Sequence, residues 1–532
     1  MQAKYEYMFE YANTIAIVRK LPWCEIPGLG YWIQGGKNLL LLIPSLPSLL
    51  VTFLRYLFDK PLASYRDYIF FPLSPQPNPD LVDNFQHDLI FGLQRVIGTN
   101  PVVLRAVTNQ QPLPAKFPEA EIQRIFAEQI DEIDYAVAIQ QKRVYFLDYA
   151  VLDILQQNPG HIDGNRRQHI TTPIVVLFQQ PDGMLRPIAI QLYQDPGTSN
   201  PIYTTKDGNI WLAAKTFVQI ADGNHHILYT HATRIHYVME AVIMASRRQL
   251  YKAHPVYVLL NPHLQYTLNV NHQHTFLKNR KGRPGRFGEL FAGDYDATTQ
   301  CMANGMTSFN FRKSAFPNDI ANREVDNPDL FYPYRDDGTL LWEAIQSFSK
   351  EYIDIYYKSD ADLFEDHEIQ AWANDTSAQD RGRIPGFPVK FESKQKLAET
   401  IGHIIFLCTA YHSCIHFNQY KYPGFVPNMP YSSYSAPPDG KKSEMDAAEL
   451  LKIQPAFRAA YSQTWTYFLT NFRVNRIGQY KLRQFDPEAR DVIKRFKNRL
   501  EEIEAQIDRR NNNRLFTYDR MNPRTIPNGV TV

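Results

Sequence analysis

The sequence predicts a mainly α fold with a few short β-strands and a metal site held between two long core helices, one of them with a π-helical turn. Three observations carry this. The segment Leu212–Leu250 is apolar over most of its length and reads as one buried helix. Five histidines fall from His226 to His263, at His226, His231, His236, His254 and His263, in a chain with 15 His among 532 residues. A second apolar helix, Ser393–Tyr420, carries His412 and His416.

The spacing decides the chemistry. Clustered neutral imidazoles suit iron, copper, zinc or nickel. Zinc proteases set two histidines four apart on one helix face, but His231 and His236 are five apart. At 3.6 residues per turn that separates them by about 140°, too far for one ion. A π-type turn, with i→i+5 bonds, brings them together, so a local π-helical stretch is expected around His231–His236. The alternative is a set of hydrogen-bonded core histidines. His412 and His416, four apart, share one helix face. Two helices each offering two inward imidazoles make an all-nitrogen site, which fits iron, manganese or cobalt better than structural zinc. His403 reads as a packing or hydrogen-bonding residue. His367–Glu368 has Ala371 where a zinc-protease pair would need its second histidine.

The remaining elements follow from periodicity. Helices are expected at Phe85–Ile97, Glu119–Ile130, Leu340–Ser359 and Pro487–Arg510, and strands near Lys142–Leu147, Pro173–Phe178 and Pro187–Leu192. Asp486 reads as an N-cap, with Pro487 at the first helical position and Glu488 in the first turn. The residues Asn38–Phe58 are strongly apolar and about long enough to cross a bilayer. Pro44, Pro47 and Arg55 favour instead a kinked helix packed on the core, or peripheral docking on a membrane.

Composition narrows the class. With 44% hydrophobic and 13% aromatic residues the chain can build a large core, and no linker-like break or repeat interrupts it. A net charge of +2 argues against nucleic acid as a partner. The basic loop Lys278–Arg286 reads as solvated. The four cysteines, Cys24, Cys301, Cys408 and Cys414, do not form a disulfide framework. No secretory leader is recognisable in the first twenty residues, which gives the expectation of a cytoplasmic protein, with membrane association as the alternative.

Taken in order, several segments resemble the lipoxygenase family: the His226–His263 pattern, GLQRVIGTNPVVLR (Gly92–Arg105), PDGMLRPIAIQL (Pro181–Leu192), IWLAAKTFV (Ile210–Val218), HFNQYKYPGFVPNMP (His416–Pro430) and the tail RLFTYDRMNPRTIPNGVTV (Arg514–Val532). The resemblance covers most of the chain and implies the fold of that family's helical catalytic domain, in a compact bacterial-type form without the N-terminal β-sandwich. Residues 1–80 are then an N-terminal helical extension, a candidate for membrane docking, and 81–532 the catalytic domain.

The resemblance further implies one non-haem iron per chain, with manganese second, bound by His231, His236, His412, the variable position His416 and the terminal carboxylate of Val532. His226 and Gln419 would stand behind these ligands, and His254 and His263 would be structural. It implies a dioxygenase for polyunsaturated fatty acids with a cis,cis-1,4-pentadiene: a ferric hydroxide abstracts hydrogen, O₂ adds, and a hydroperoxide results. Ile227, Ile235 and His274 are the expected pocket residues, and Arg247, Arg248 or a residue of the basic loop would meet the substrate carboxylate.

Two departures stand out. Ile227 replaces a polar residue that usually pairs with the position of Gln419, so a relay between the two helices is cut or rerouted. The Ala/Gly position that tracks S or R oxygen insertion aligns with His274. These departures leave room for a hydroperoxide isomerase that makes epoxy alcohols, or for a non-catalytic lipid-binding protein.

Overall fold

The computed structural model describes the chain except residues 1–3, 41–42, 44–46, 48–49, 51–62, 70–78, 163–165, 281–282, 285–289, 440–444, 456–461, 463–465, 473 and 532. The side chains at 38–39, 79–80, 162, 166, 274, 276–280 and 283–284 are likewise outside the description. Most of Asn38–Phe58, every side chain of Lys278–Arg286, and Val532 therefore lie outside the description.

The first described elements are a hairpin, β1 (Tyr7–Met8) and β2 (Ile17–Val18), then helices α1 (Leu29–Leu40) and α2 (Asp88–Ile97). An antiparallel sheet follows, in the order β3 (Arg105–Ala106), β4 (Val144–Asp148), β5 (Ile174–Gln179), β6 (Leu185–Gln191), β7 (Ile202–Tyr203). Val144 pairs with Phe178 and Val176 with Ala189, and the β5–β6 register shifts between Val176 and Leu177, opposite Pro187. A proline donates no ladder hydrogen bond, so it sits at this irregularity. Strand β5 is buried along its whole length, because α2 lies against β6 on one side and a small cluster around Phe126 covers the other. Gly92 allows the α2 contact: a Cβ there would sit 1.9 Å from the Leu185 carbonyl oxygen.

A helix that is apolar all round must be enclosed, and the stretch 209–249 occupies the centre of the main core. Helix Asn209–Asn224 passes into a π-helix, His225–Tyr237, and then into helix Val238–Gln249. His225 (φ −58°, ψ −45°) and Val238 (φ −61°, ψ −47°) keep helical angles, so the three pieces form one continuous rod, α3. The expected π turn is present and far longer than the His231–His236 window.

Helix α4 (Thr267–Lys278) packs on the C-terminal part of α3, and α5 (Tyr295–Thr307) lies along its π stretch. Helix α6 (Pro333–Tyr356) packs against the second histidine rod, α7, made of Lys394–Phe406, a π turn Leu407–Tyr411, and His412–His416. The last long helix is α8 (Pro487–Asn513), also against α6.

Several boundaries differ from expectation. The helix expected from Phe85 begins at Asp88. Helix α6 begins at Pro333, a favoured first-turn residue, rather than at Leu340, and ends at Tyr356 rather than Ser359. Helix α7 ends at His416, not Tyr420, and holds a π turn that the four-residue spacing of His412 and His416 did not announce. Asp486 takes the N-cap position of α8, but its side chain does not cap the helix; Oδ2 instead accepts the Tyr356 hydroxyl at 2.9 Å. The cysteines are free, and Cys301, Cys408 and Cys414 are buried.

Candidate metal centre

The π stretch of α3 sets the centre. A π turn carries more than four residues per loop, so positions five apart share a face. Thr233 supports the widened loop, its Oγ1 donating to the Leu228 carbonyl five residues back at 2.7 Å. Against it, α5 comes close at Gly305, where a Cβ would lie 3.0 Å from the Tyr229 ring and 3.2 Å from Thr233 Cγ2.

In this register the His231 and His236 rings meet at right angles, with Nε2 atoms 3.2 Å apart. From α7, His412 brings its Nε2 to 3.4 Å from His231 Nε2. Ligand nitrogens of His231, His236 and His412 all lie within 4.8 Å of one another, and all three side chains are buried. His416 stands beside them, its Nδ1 3.1 Å from His231 Nε2. That Nδ1 also receives the Gln419 amide at 3.1 Å, while Nε2 donates to the Leu469 carbonyl at 3.2 Å.

The donor set fits a cation. His231 Nε2 has three other ring nitrogens at 3.1–3.4 Å, yet a neutral imidazole nitrogen carries one hydrogen at most. Nitrogens bound at about 2.1 Å to one ion stand at such separations. Burial first, and the neighbouring rings second, push His231 and His412 well below the ordinary imidazole value. Both are therefore neutral, the form that binds a metal.

The surrounding groups hold these rings in place. His236 Nδ1 donates to Asn271 Oδ1 at 2.8 Å. The Asn271 amide donates to the His236 carbonyl at 2.9 Å and to Glu240 Oε2 at 2.8 Å, and Glu240 Oε1 accepts the Val18 N–H at 2.8 Å. Burial raises the Glu240 carboxyl to about 7, against the two hydrogen bonds that lower it. Neither Asn271 nor Glu240 was singled out by sequence. The signal was a lone carboxylate in the apolar run VMEAVIM, one turn after His236.

His226 turns away from the three nitrogens. Its Nε2 donates to the Ile415 carbonyl at 3.0 Å, bracing α3 against α7, and its ring lies parallel to that of His231. Gln419 donates its amide to His416, on its own side of the centre, and Ile227 offers no polar group from α3. Ile227 and Ile235 are buried in the main core. His274 lies on α4, and its side chain is outside the described residues. His254 pairs with Asp366 at 3.0 Å, and His263 bridges the Asn528 carbonyl and the Tyr480 hydroxyl. Arg247 pairs with Glu25 and Arg248 with Asp375, each at 2.9 Å, so both cations are already balanced by protein carboxylates.

The tail runs inward. Thr267 Oγ1 donates to the Val530 carbonyl at 2.8 Å and the Tyr31 hydroxyl to the Thr531 carbonyl at 3.1 Å. Gly529 passes so close to the helix Pro255–Leu264 that a Cβ would clash with the His263 carbonyl oxygen. Residues 529–531 are thus fixed, and residue 532, the expected carboxylate donor, lies outside the described residues.

Fold and site together define a helical protein with a buried imidazole cluster, able to hold a metal ion, between two π-distorted core helices. The chain belongs to the lipoxygenase family: that family's model matches residues 74–530. It is 32% identical over 496 residues to the allene oxide synthase-lipoxygenase protein of Plexaura homomalla (85% of this chain, 44% of the relative). It is 30% identical to linoleate 9/13-lipoxygenase of Pseudomonas aeruginosa (85% and 68%) and 31% identical to hydroperoxide isomerase ALOXE3 of Homo sapiens (85% and 63%). The chain thus spans less than half the length of the first of these. A lipoxygenase crystal structure in complex with arachidonate superposes with a TM-score of 0.89 at 29% identity, covering 100% of this chain and 80% of that one. Coral 8R-lipoxygenase superposes at 0.87 with 28% identity and the same coverage. Among the described residues, no helix is long and apolar enough to cross a membrane.

Proposed function

We propose that the protein is a non-haem iron dioxygenase that converts polyunsaturated fatty acids containing a cis,cis-1,4-pentadiene into hydroperoxides. The convergence of the His231, His236 and His412 nitrogens within 4.8 Å, in a buried and uncharged setting, carries this reading. His231, His236 and His412 would hold the metal, with the Val532 carboxylate completing the set and His416 beside it. Bound iron supplies the one-electron chemistry that removes a hydrogen atom from the doubly allylic carbon.

The residues do the rest. Neutral imidazoles with one carboxylate keep the centre's net charge low, which an apolar core tolerates. Asn271 fixes the His236 ring so that its Nε2 faces His231. The surrounding core, with Ile227 and Ile235, excludes water from a radical intermediate and offers an apolar wall to an acyl chain. The linoleate-acting relative and the arachidonate-bound neighbour support a fatty-acid substrate.

The test is metal content together with absorbance in the conjugated-diene band after adding linoleate and arachidonate. About one iron per chain with diene formation is expected. Iron without dienes, but with turnover of fatty-acid hydroperoxides, would replace this reading with the isomerase activity named for the human relative. A chain that takes up no metal would refute both.

A further inference from the structure

We propose that α1 is a bilayer-docking helix that seats this side of the protein on an anionic phospholipid surface. The proposal rests on the fatty-acid reading above for its choice of partner and goes beyond it by naming the surface through which substrate arrives.

A surface helix ordinarily turns its apolar stripe toward the core. Helix α1 turns one outward. Leu29, Trp32, Ile33 and Leu40 follow one stripe of a 3.6-residue helix, and they are 75%, 48%, 50% and 62% exposed. The preceding turn adds Trp23 and Ile26, 86% and 41% exposed. The opposite face is spoken for. The Tyr31 ring lies 4.8 Å from that of Tyr266 and 4.6 Å from that of Phe472, and a Cβ on Gly35 would touch Phe472 and Phe468. The helix is therefore anchored by one side, with apolar side chains presented on the other.

Three features select a lipid surface as the cover. First, charge: the charged side chains of residues 20–40 are Lys20, Glu25 and Lys37. Glu25 is withdrawn against Arg247 and the Tyr5 hydroxyl, whereas Lys20 and Lys37 are exposed. Exposed lysines around tryptophan and leucine are the composition of an interfacial helix. Second, the Trp32 indole N–H is already satisfied, donating to the Pro27 carbonyl at 3.1 Å, so this ring carries no unmet donor into an apolar phase. Third, continuity with the metal centre: Tyr31 holds the Thr531 carbonyl, and Leu469, next to Phe468, holds His416. A bilayer on the outer face of α1 would lie one helix thickness from the tail and wall of the site.

The experiment is flotation of the full chain with phosphatidylcholine–phosphatidylglycerol vesicles, read with tryptophan emission. Two variants are compared: the triple Leu29→Ser/Trp32→Ser/Ile33→Ser and the double Lys20→Glu/Lys37→Glu. The wild type is expected to float with a blue-shifted emission. The triple should lose at least about tenfold in bound fraction, and the double should lose binding mainly at low salt. Iron content, melting curve and diene formation from detergent-dispersed linoleate should be unchanged in both.

A wild type that does not float, or a triple variant that floats equally well, overturns the proposal. So does a wild type that self-associates without binding vesicles and becomes monomeric in the triple variant, since the cover is then a second copy of the chain. Vesicle binding without diene formation from any fatty acid would leave the docking helix standing and refute the dioxygenase reading instead.

Discussion

Replacing Asn271 by alanine isolates the support of one proposed ligand without touching the ligand. The side chain makes three buried hydrogen bonds, at 2.8–2.9 Å, to His236 Nδ1, the His236 carbonyl and Glu240 Oε2. Alanine takes the acceptor from His236 Nδ1 and the donor from Glu240 Oε2 in a place where water does not reach. An orphaned buried polar group costs about 1–3 kcal/mol, so the loss for these two is about 2–5 kcal/mol once local relaxation is allowed. The His236 ring also loses the acceptor that sets its tautomer, which reduces metal affinity by about 10- to 100-fold. The assay pairs urea denaturation of the metal-free variant with iron retained after dialysis against a graded chelator. A variant that unfolds at the wild-type urea concentration and holds iron equally well would refute the claim that Asn271 orients His236.

The other expectations are more direct. His231→Ala, or removal of Val532, should abolish iron retention and diene formation together, measured by elemental analysis and absorbance; full activity in either would remove that residue from the centre. Gly529→Ala forces a methyl group against the His263 carbonyl and should cost about 1–3 kcal/mol while displacing the tail, read as lost iron at near-wild-type helical content. Burial depresses His225 and His403 to about 3, and His226 and His263 to about 4. Their stabilisation is present above the unfolded value of 6.5 and is lost as pH falls toward the folded values. Together they should steepen the loss of stability to about 5 kcal/mol per pH unit below pH 6, checked by denaturation at pH 7 and pH 5. Glu240 works the other way: its folded value of about 7 favours the fold at acid pH, and that contribution disappears as pH rises through 7. Glu240→Gln should therefore remove this opposing slope and steepen the rise of stability between pH 5 and pH 7, read in the same denaturation series.

Sequence periodicity located both histidine rods because each is enclosed on all sides, and enclosure writes a continuous apolar run. It also located the π distortion, since two inward histidines five apart leave few other solutions. It did not reveal how far the π stretch runs, because that depends on a neighbour: Gly305 of α5 lets the widened loop pack closely. The π turn at Leu407–Tyr411 was hidden because it precedes His412 and His416, whose own spacing is ordinary α. The Asn271–Glu240 pair was hidden because its hydrogen bonds join positions 31 residues apart. Arg247 and Arg248 looked available for a substrate carboxylate, but their carboxylate partners, Glu25 and Asp375, come from distant parts of the chain. Pro333 moved the start of α6 by a full two turns through its fitness for a first helical position.

The chain of contacts from Val18 through Glu240 and Asn271 to His236, and from Leu469 to His416, has a consequence in time. These groups come from nearly the whole length of the polypeptide, so contacts of very high sequence separation must close before the centre exists. A ribosome that has delivered the α3 histidines has not yet made α7 or the tail that carries Thr531. During synthesis the α3 imidazoles are therefore solvent-accessible and without their partners, and the core around them is incomplete. Metal loading then belongs to the finished chain, and a release-stalled intermediate ending before residue 400 should bind iron no better than an unstructured peptide of the same histidine content.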